Sequence, residues 1–127
     1  MINNKIKKFT DLIAWQEAHK LTLLIYEVTK FFPAAENFNL TSQMRRAAVS
    51  IESCIAEGFC RFHYRERLQF YYDARGSLGE VTSQSITASE LKFVNLTNNQ
   101  RIMNQVEKTS VVLGGLIRET EKRSTSR

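Results

Sequence analysis

Proline occurs once and glycine five times in 127 residues, too few to turn an all-β chain every ten residues or so. Helices remain as the expected element. Two cysteines, Cys54 and Cys60, and two histidines, His19 and His63, lack the numbers and spacing of a disulfide framework or a zinc site. Six residues apart on one helix, the cysteines fall on roughly opposite faces and cannot bridge locally. The chain therefore reads as reduced, with no metal and no cofactor. No apolar run approaches the roughly 20 residues of a membrane span, and the segment Met1 to Trp15 lacks the uninterrupted apolar stretch of a secretory signal. The cytoplasm is the expected compartment. Gly114-Gly115 has no lysine and hydroxyl to make a phosphate loop, and no serine stands in a nucleophile elbow. Neither an enzyme nor a small-molecule substrate is expected.

What is present is a helical code. With 43% hydrophobic and 24% charged residues, the chain has the balance of one soluble domain. Ala14, Ala18, Leu21, Ile25, Val28 and Phe32 alternate spacings of four and three, which predicts a helix from Asp11 to Phe32. Thr10 or Asp11 is its expected cap, and Pro33 its stop. Thr41 is the expected cap of a second helix, along which Met44, Ala48, Ile51, Ile55 and Phe59 repeat the pattern until Gly58 and Cys60 to His63 interrupt it. Small residues (Ala47, Ser50, Ser53, Cys54, Ala56) suit that helix to close approach by a neighbour. A third segment, about Tyr64 to Val94, places Leu68, Tyr71, Ala74, Leu78, Val81, Ser85 and Ala88 on one stripe. Gly76 and Gly79 weaken it by roughly 1 kcal/mol each relative to alanine, which predicts tight helix contact or a bend there. After a turn at Asn95 to Asn99, Thr97 and Gln100 form a capping box. The last helix turns Ile102, Val106, Thr109, Leu113 and Leu116 inward and frays near Lys122. The expected organisation is all-α: a basic arm over 1–9, an up-down-up-down four-helix bundle over 10–122, and a disordered tail over 123–127.

Charge is distributed unevenly. Lysine and arginine number 18 against 13 aspartate and glutamate, a formal +5, and the excess lies in the two ends, because the interval 9–117 is balanced. An even number of antiparallel helices returns the chain to its starting end. Lys5, Lys7 and Lys8 should then converge with Arg118, Lys122 and Arg123 on one basic pole, a site for the phosphates of RNA or DNA. The alternatives are that these ends only solubilise the chain, and that it is a protein–protein interaction module without direct nucleic-acid binding.

Polar stripes run beside the apolar ones. Arg46, Ser50, Ser53 and Glu57 share a face of the second helix, and Asp73, Ser77, Glu80 and Gln84 a face of the third. If the faces meet, Arg46 reaches Glu80 or Asp73, and Arg75 reaches Glu57, a network that would fix register rather than add stability. As a catalytic carboxylate pair, Glu57 and Glu80 lack a cleft and a group to hold substrate. A second apolar face (Leu12, Trp15, His19 and Tyr26 on the first helix, Phe70 and Tyr72 on the third) points to a homo-oligomer. Its alternative is a single broad core edged by Trp15 and Tyr26. Interleaved with Arg65 and Arg67, the aromatics of the third helix could also stack bases, though core packing is the commoner use.

Several separated blocks then stand in a recognisable order: Phe9-Thr10-Asp11-Leu12 with Ala14-Trp15-Gln16; Leu40-Thr41-Ser42-Gln43 with Arg45-Arg46-Ala47-Ala48 and Ser50-Ile51; Ile55-Ala56-Glu57-Gly58-Phe59; Ala74-Arg75-Gly76-Ser77-Leu78 with Glu80. Over about residues 9–120 the chain resembles the small four-helix-bundle proteins encoded in intervening sequences of bacterial 23S ribosomal RNA genes, the S23 ribosomal protein family. The resemblance implies assembly into a homopentameric ring. The related accessory variability determinant proteins of diversity-generating retroelements share bundle and ring, and bind a reverse transcriptase and nucleic acid through basic surfaces. That relation implies RNA, DNA or a reverse transcriptase as partner. The sequence departs from the family pattern at Cys60, where glycine is usual, at His63, where a serine would cap the third helix, and at Arg67, where an apolar residue is expected.

Overall fold

The four-three apolar stripes bury along four helices in a computed structural model that describes residues 6–125. They are α1 (Ile13–Thr29), α2 (Leu40–Phe59), α3 (Tyr64–Glu90) and α4 (Leu96–Thr125), with 3-10 turns at Phe9–Asp11 and Ala34–Glu36. No strand occurs among the described residues. Each helix runs against its predecessor, as the cross-links show. The Thr22 hydroxyl donates to the Ala48 carbonyl at 3.1 Å, and the Ser50 and Ser77 hydroxyls meet at 2.9 Å. The Tyr72 hydroxyl donates to Glu121 at 2.8 Å, and Gln105 Nε2 to the Glu17 carbonyl at 3.0 Å, closing α4 onto α1. Between them Leu21, Ile25, Met44, Ile51, Ile55, Tyr71, Val81, Ile102 and Leu113 are almost fully buried, each large side chain stabilising the fold by roughly 1.5–3 kcal/mol. No helix among the described residues is long and apolar enough to cross a membrane.

The α2–α3 contact is the tightest. A Cβ on Gly58 would lie 2.7 Å from Tyr71 Cε1 and 3.0 Å from Phe70 Cβ, so only a bare backbone lets the Tyr71 ring come so close. Burial pushes the Tyr71 hydroxyl pKa up to about 12. Gly76 and Gly79 behave differently from expectation: nothing lies within 4 Å of a Cβ at either, and α3 continues through both. The tight contact expected at these glycines is not made among the described residues.

Element ends also differ from the sequence expectation. Asp11 does not cap α1; its Oδ2 turns back to accept the N–H groups of Lys7 at 2.9 Å and Lys8 at 3.0 Å, and α1 begins after Leu12. Phe32, beyond the end of α1, is still buried. Thr41 lies inside the first turn of α2 after an Asn39 cap position, its buried hydroxyl without a partner. α3 stops at Glu90 rather than Val94, because Lys92 adopts φ 68° and the N–H groups of Lys92 and Phe93 fold back to Ser89 and Ala88. This is a helix-ending Schellman arrangement, fastened by Phe93 packing 5.7 Å from Phe32. Asn95, not Thr97, caps α4: its Oδ1 accepts the Asn98 N–H at 2.7 Å. Along α4, Ile117 takes the buried place expected of Leu116, and Val106 is half-buried. α4 runs to Thr125, so Arg123, Ser124 and Thr125 are helical where a disordered tail was expected.

Candidate nucleic-acid interface

Alternating helix direction gathers the start of α1, the end of α2, the start of α3 and the end of α4 at one end of the bundle. The expected cations are there, apart from Lys5, which lies outside the described residues. Lys7 and Lys8 are exposed, held by their backbone bonds to Asp11, whose carboxyl those two N–H donors keep below the usual aspartate range. The turn that follows packs against α1 and α2. Arg118, Lys122 and Arg123 are exposed on the last turns of α4, where Arg123 lies over the Tyr64 ring at the start of α3. The two sets share an end.

The α2–α3 corner stands at the same end, and it supplies cations that the charge balance along the chain hides. Arg61 pairs with Glu57 at 2.8 Å and lies over the Phe70 ring. Arg67 is fixed more firmly. Its guanidinium sits over Phe59 at 5.1 Å and Tyr64 at 5.2 Å, and its Nε donates to the Arg61 carbonyl at 2.8 Å. Arg65 is exposed, with no acidic or aromatic partner among the described residues. These groups border an open cleft of about 820 Å³ lined by Phe62, His63, Tyr64, Arg65, Glu66, Arg67, Arg123 and Ser124. Phe62 is 85% exposed, with the His63 ring edge-on at 4.9 Å. His63 occupies the α3 cap position without a side-chain cap bond. The signal in the sequence is the run Arg61 to Arg67 with aromatics in and beside it, of which Phe59, Tyr64 and Phe70 serve as cation platforms.

The expected polar network takes another form. The stripes of α2 and α3 do face each other, as the Ser50–Ser77 bond shows. Glu57, however, is taken by Arg61, four residues on along the chain, and Arg75 lies over the Tyr72 ring instead. No ion pair among the described residues joins Arg46 or Glu80, and both are exposed. At the surface, water competes for each of these charges and a local i,i+4 partner is easier to hold than a cross-helix one.

The second apolar face is largely occupied by the chain itself. Leu12 is buried, Trp15 packs edge-on to Phe9 and flat on His19, and His19 Nδ1 meets Glu52 at 3.1 Å. Tyr26 lies beneath Arg45. Tyr72 donates to Glu121, which raises the pKa of its hydroxyl. Among the described residues no group of His, Cys, Asp and Glu is placed to hold a metal ion, and Cys54 and Cys60 are free.

Comparison with known proteins adds one finding to this geometry. The model of the family described as 23S rRNA-intervening sequence protein matches residues 10–115. No curated protein matches the chain.

Proposed function

Since the chain belongs to the 23S rRNA-intervening sequence protein family, we propose that it is a non-enzymatic, oligomeric scaffold that binds RNA, or an RNA–protein complex, through the basic end of its bundle. The observation that carries this reading is that Lys7, Lys8, Arg118, Lys122 and Arg123 stand at the same end of the bundle as the Arg61–Arg67 corner. Phosphates drawn there release their counterions, which yields affinity without base specificity. Assembly of copies in parallel, as in a homopentameric ring, would repeat that end around an axis and multiply the phosphate sites without any new kind of interaction. The proposed role is binding rather than chemistry, a reading supported by the engagement of Glu57 with Arg61 at 2.8 Å and by the exposure of Glu80 on another helix. A reverse transcriptase partner would dock by the same basic end through the RNA it carries.

The test is a salt titration of binding to a generic RNA, with subunit number read by light scattering. Affinity should fall steeply as salt rises, on a particle larger than one chain. No binding at low salt, or binding indifferent to salt, contradicts the reading. Retention of a single protein partner after nuclease treatment, without RNA binding, would establish the interaction-module alternative instead.

A further inference from the structure

The cleft at the α2–α3 corner combines two recognition elements that simple phosphate attraction does not require. One is a flat apolar surface: Phe62 stands 85% exposed, braced by the edge-on His63 ring at 4.9 Å. The other is a set of arginines at the same cleft. Arg67 is clamped between rings and the Arg61 carbonyl, so little freedom remains for it to lose on binding. Arg123 is steadied by Glu119 at 3.1 Å, and Arg65 is exposed without an ion-pair partner among the described residues.

Resting on the reading that the basic end binds RNA, we propose that this cleft takes an unpaired nucleotide, its base stacked on Phe62 and its phosphate held by Arg65 and Arg67. The chemistry selects the occupant. A base inside a duplex has both faces covered by its neighbours, so only an unstacked base can lie on Phe62. An anionic ligand without a flat π-face would use the arginines and leave the ring in water. At about 820 Å³ the cleft is of the size that holds small ligands, roughly 300–1,000 Å³, and too small to seat a double helix. Glu66, the one carboxylate among the described residues lining it, repels phosphate, which leaves Arg65 and Arg67 as the groups for the backbone. As an acceptor, it also suits the amino edge of a base. The stack tolerates any base, since each has a π-face.

The probes are two RNA decamers of equal charge, one with bases and one with abasic ribose at every position, measured by fluorescence anisotropy at fixed low salt. Wild type should bind the base-containing strand about tenfold tighter, the order expected for one stacked base. Phe62→Ala should erase that preference and leave the salt slope unchanged. Phe62 is so exposed that the substitution leaves the core intact, which circular dichroism checks. Phe62→Tyr, which keeps the ring, should restore the preference. Equal binding of the two strands by wild type, or a preference that survives Phe62→Ala, overturns this inference while the phosphate reading stands. Failure of both strands to bind at low salt overturns the two together.

Discussion

Gly58 and Gly76 are both helical, and their neighbours give opposite predictions for alanine. At Gly58 the added methyl would meet the Tyr71 ring at 2.7 Å, backed by a buried core that cannot yield. Gly58→Ala should destabilise the fold by about 1–3 kcal/mol, as overpacking does. At Gly76 the space is open, so Gly76→Ala should stabilise by about 0.5–1 kcal/mol through helix propensity alone. Urea unfolding of the two variants checks both signs. A further residue-level prediction concerns acid. Glu17 accepts from Gln105 at 2.8 Å and from Lys20 at 3.1 Å, bonds that hold its carboxyl below the ordinary glutamate value of 4.5. A carboxyl lowered in the folded state contributes stability that is complete above that ordinary value and is lost as pH falls through its lower native one. Glu17→Gln should therefore unfold more readily at neutral pH and show a shallower loss of stability between about pH 5 and pH 3, followed by thermal melts across that window.

At the scale of the element, burial was legible and endings were not. Every stripe position expected inward on α1, and all seven on α3, is buried, because the four-three spacing is set by helix geometry and by the need to hide apolar surface. Caps depend on which side chain reaches which N–H. Thr41, Thr97 and Asp11 each have the right chemistry, yet the backbone turns one residue or more away from where they would serve. Asn95→Ala should cost about 1 kcal/mol by removing the acceptor of the Asn98 N–H, while Thr97→Ala should cost much less. The end of α3 was illegible because its Schellman turn is built on Lys92 at φ 68°, where glycine would have announced it. Lys92→Gly should stabilise by roughly 0.5–1 kcal/mol by relieving the left-handed strain, measurable in the same unfolding experiment.

For the whole molecule, counting helices was enough to bring the start of α1 and the end of α4 to one end, since antiparallel connection leaves no other arrangement for four. The sequence offered Arg65 and Arg67 only as neighbours of base-stacking aromatics, and charge counting did not single them out as a third basic element at that end. Arg61, Arg65 and Arg67 lie in a stretch where local charge is diluted by Glu57 and Glu66, and only the fold shows them beside Arg123. Nor did the Arg46, Glu57, Arg75 and Glu80 network form, because each charge found a nearer partner or water. The central claim is that RNA meets this end and no other. It is tested by comparing RNA affinity and its salt slope in two charge-neutralised proteins: Lys7, Lys8, Arg118 and Lys122→Gln at the basic end, and Lys30 and Lys92→Gln at the opposite end. Removing the four cations should weaken binding at low salt and lower the salt slope by about one for each phosphate that is no longer neutralised, whereas the pair at the far end should change neither. Equal weakening in both proteins, or none in the first, would contradict it.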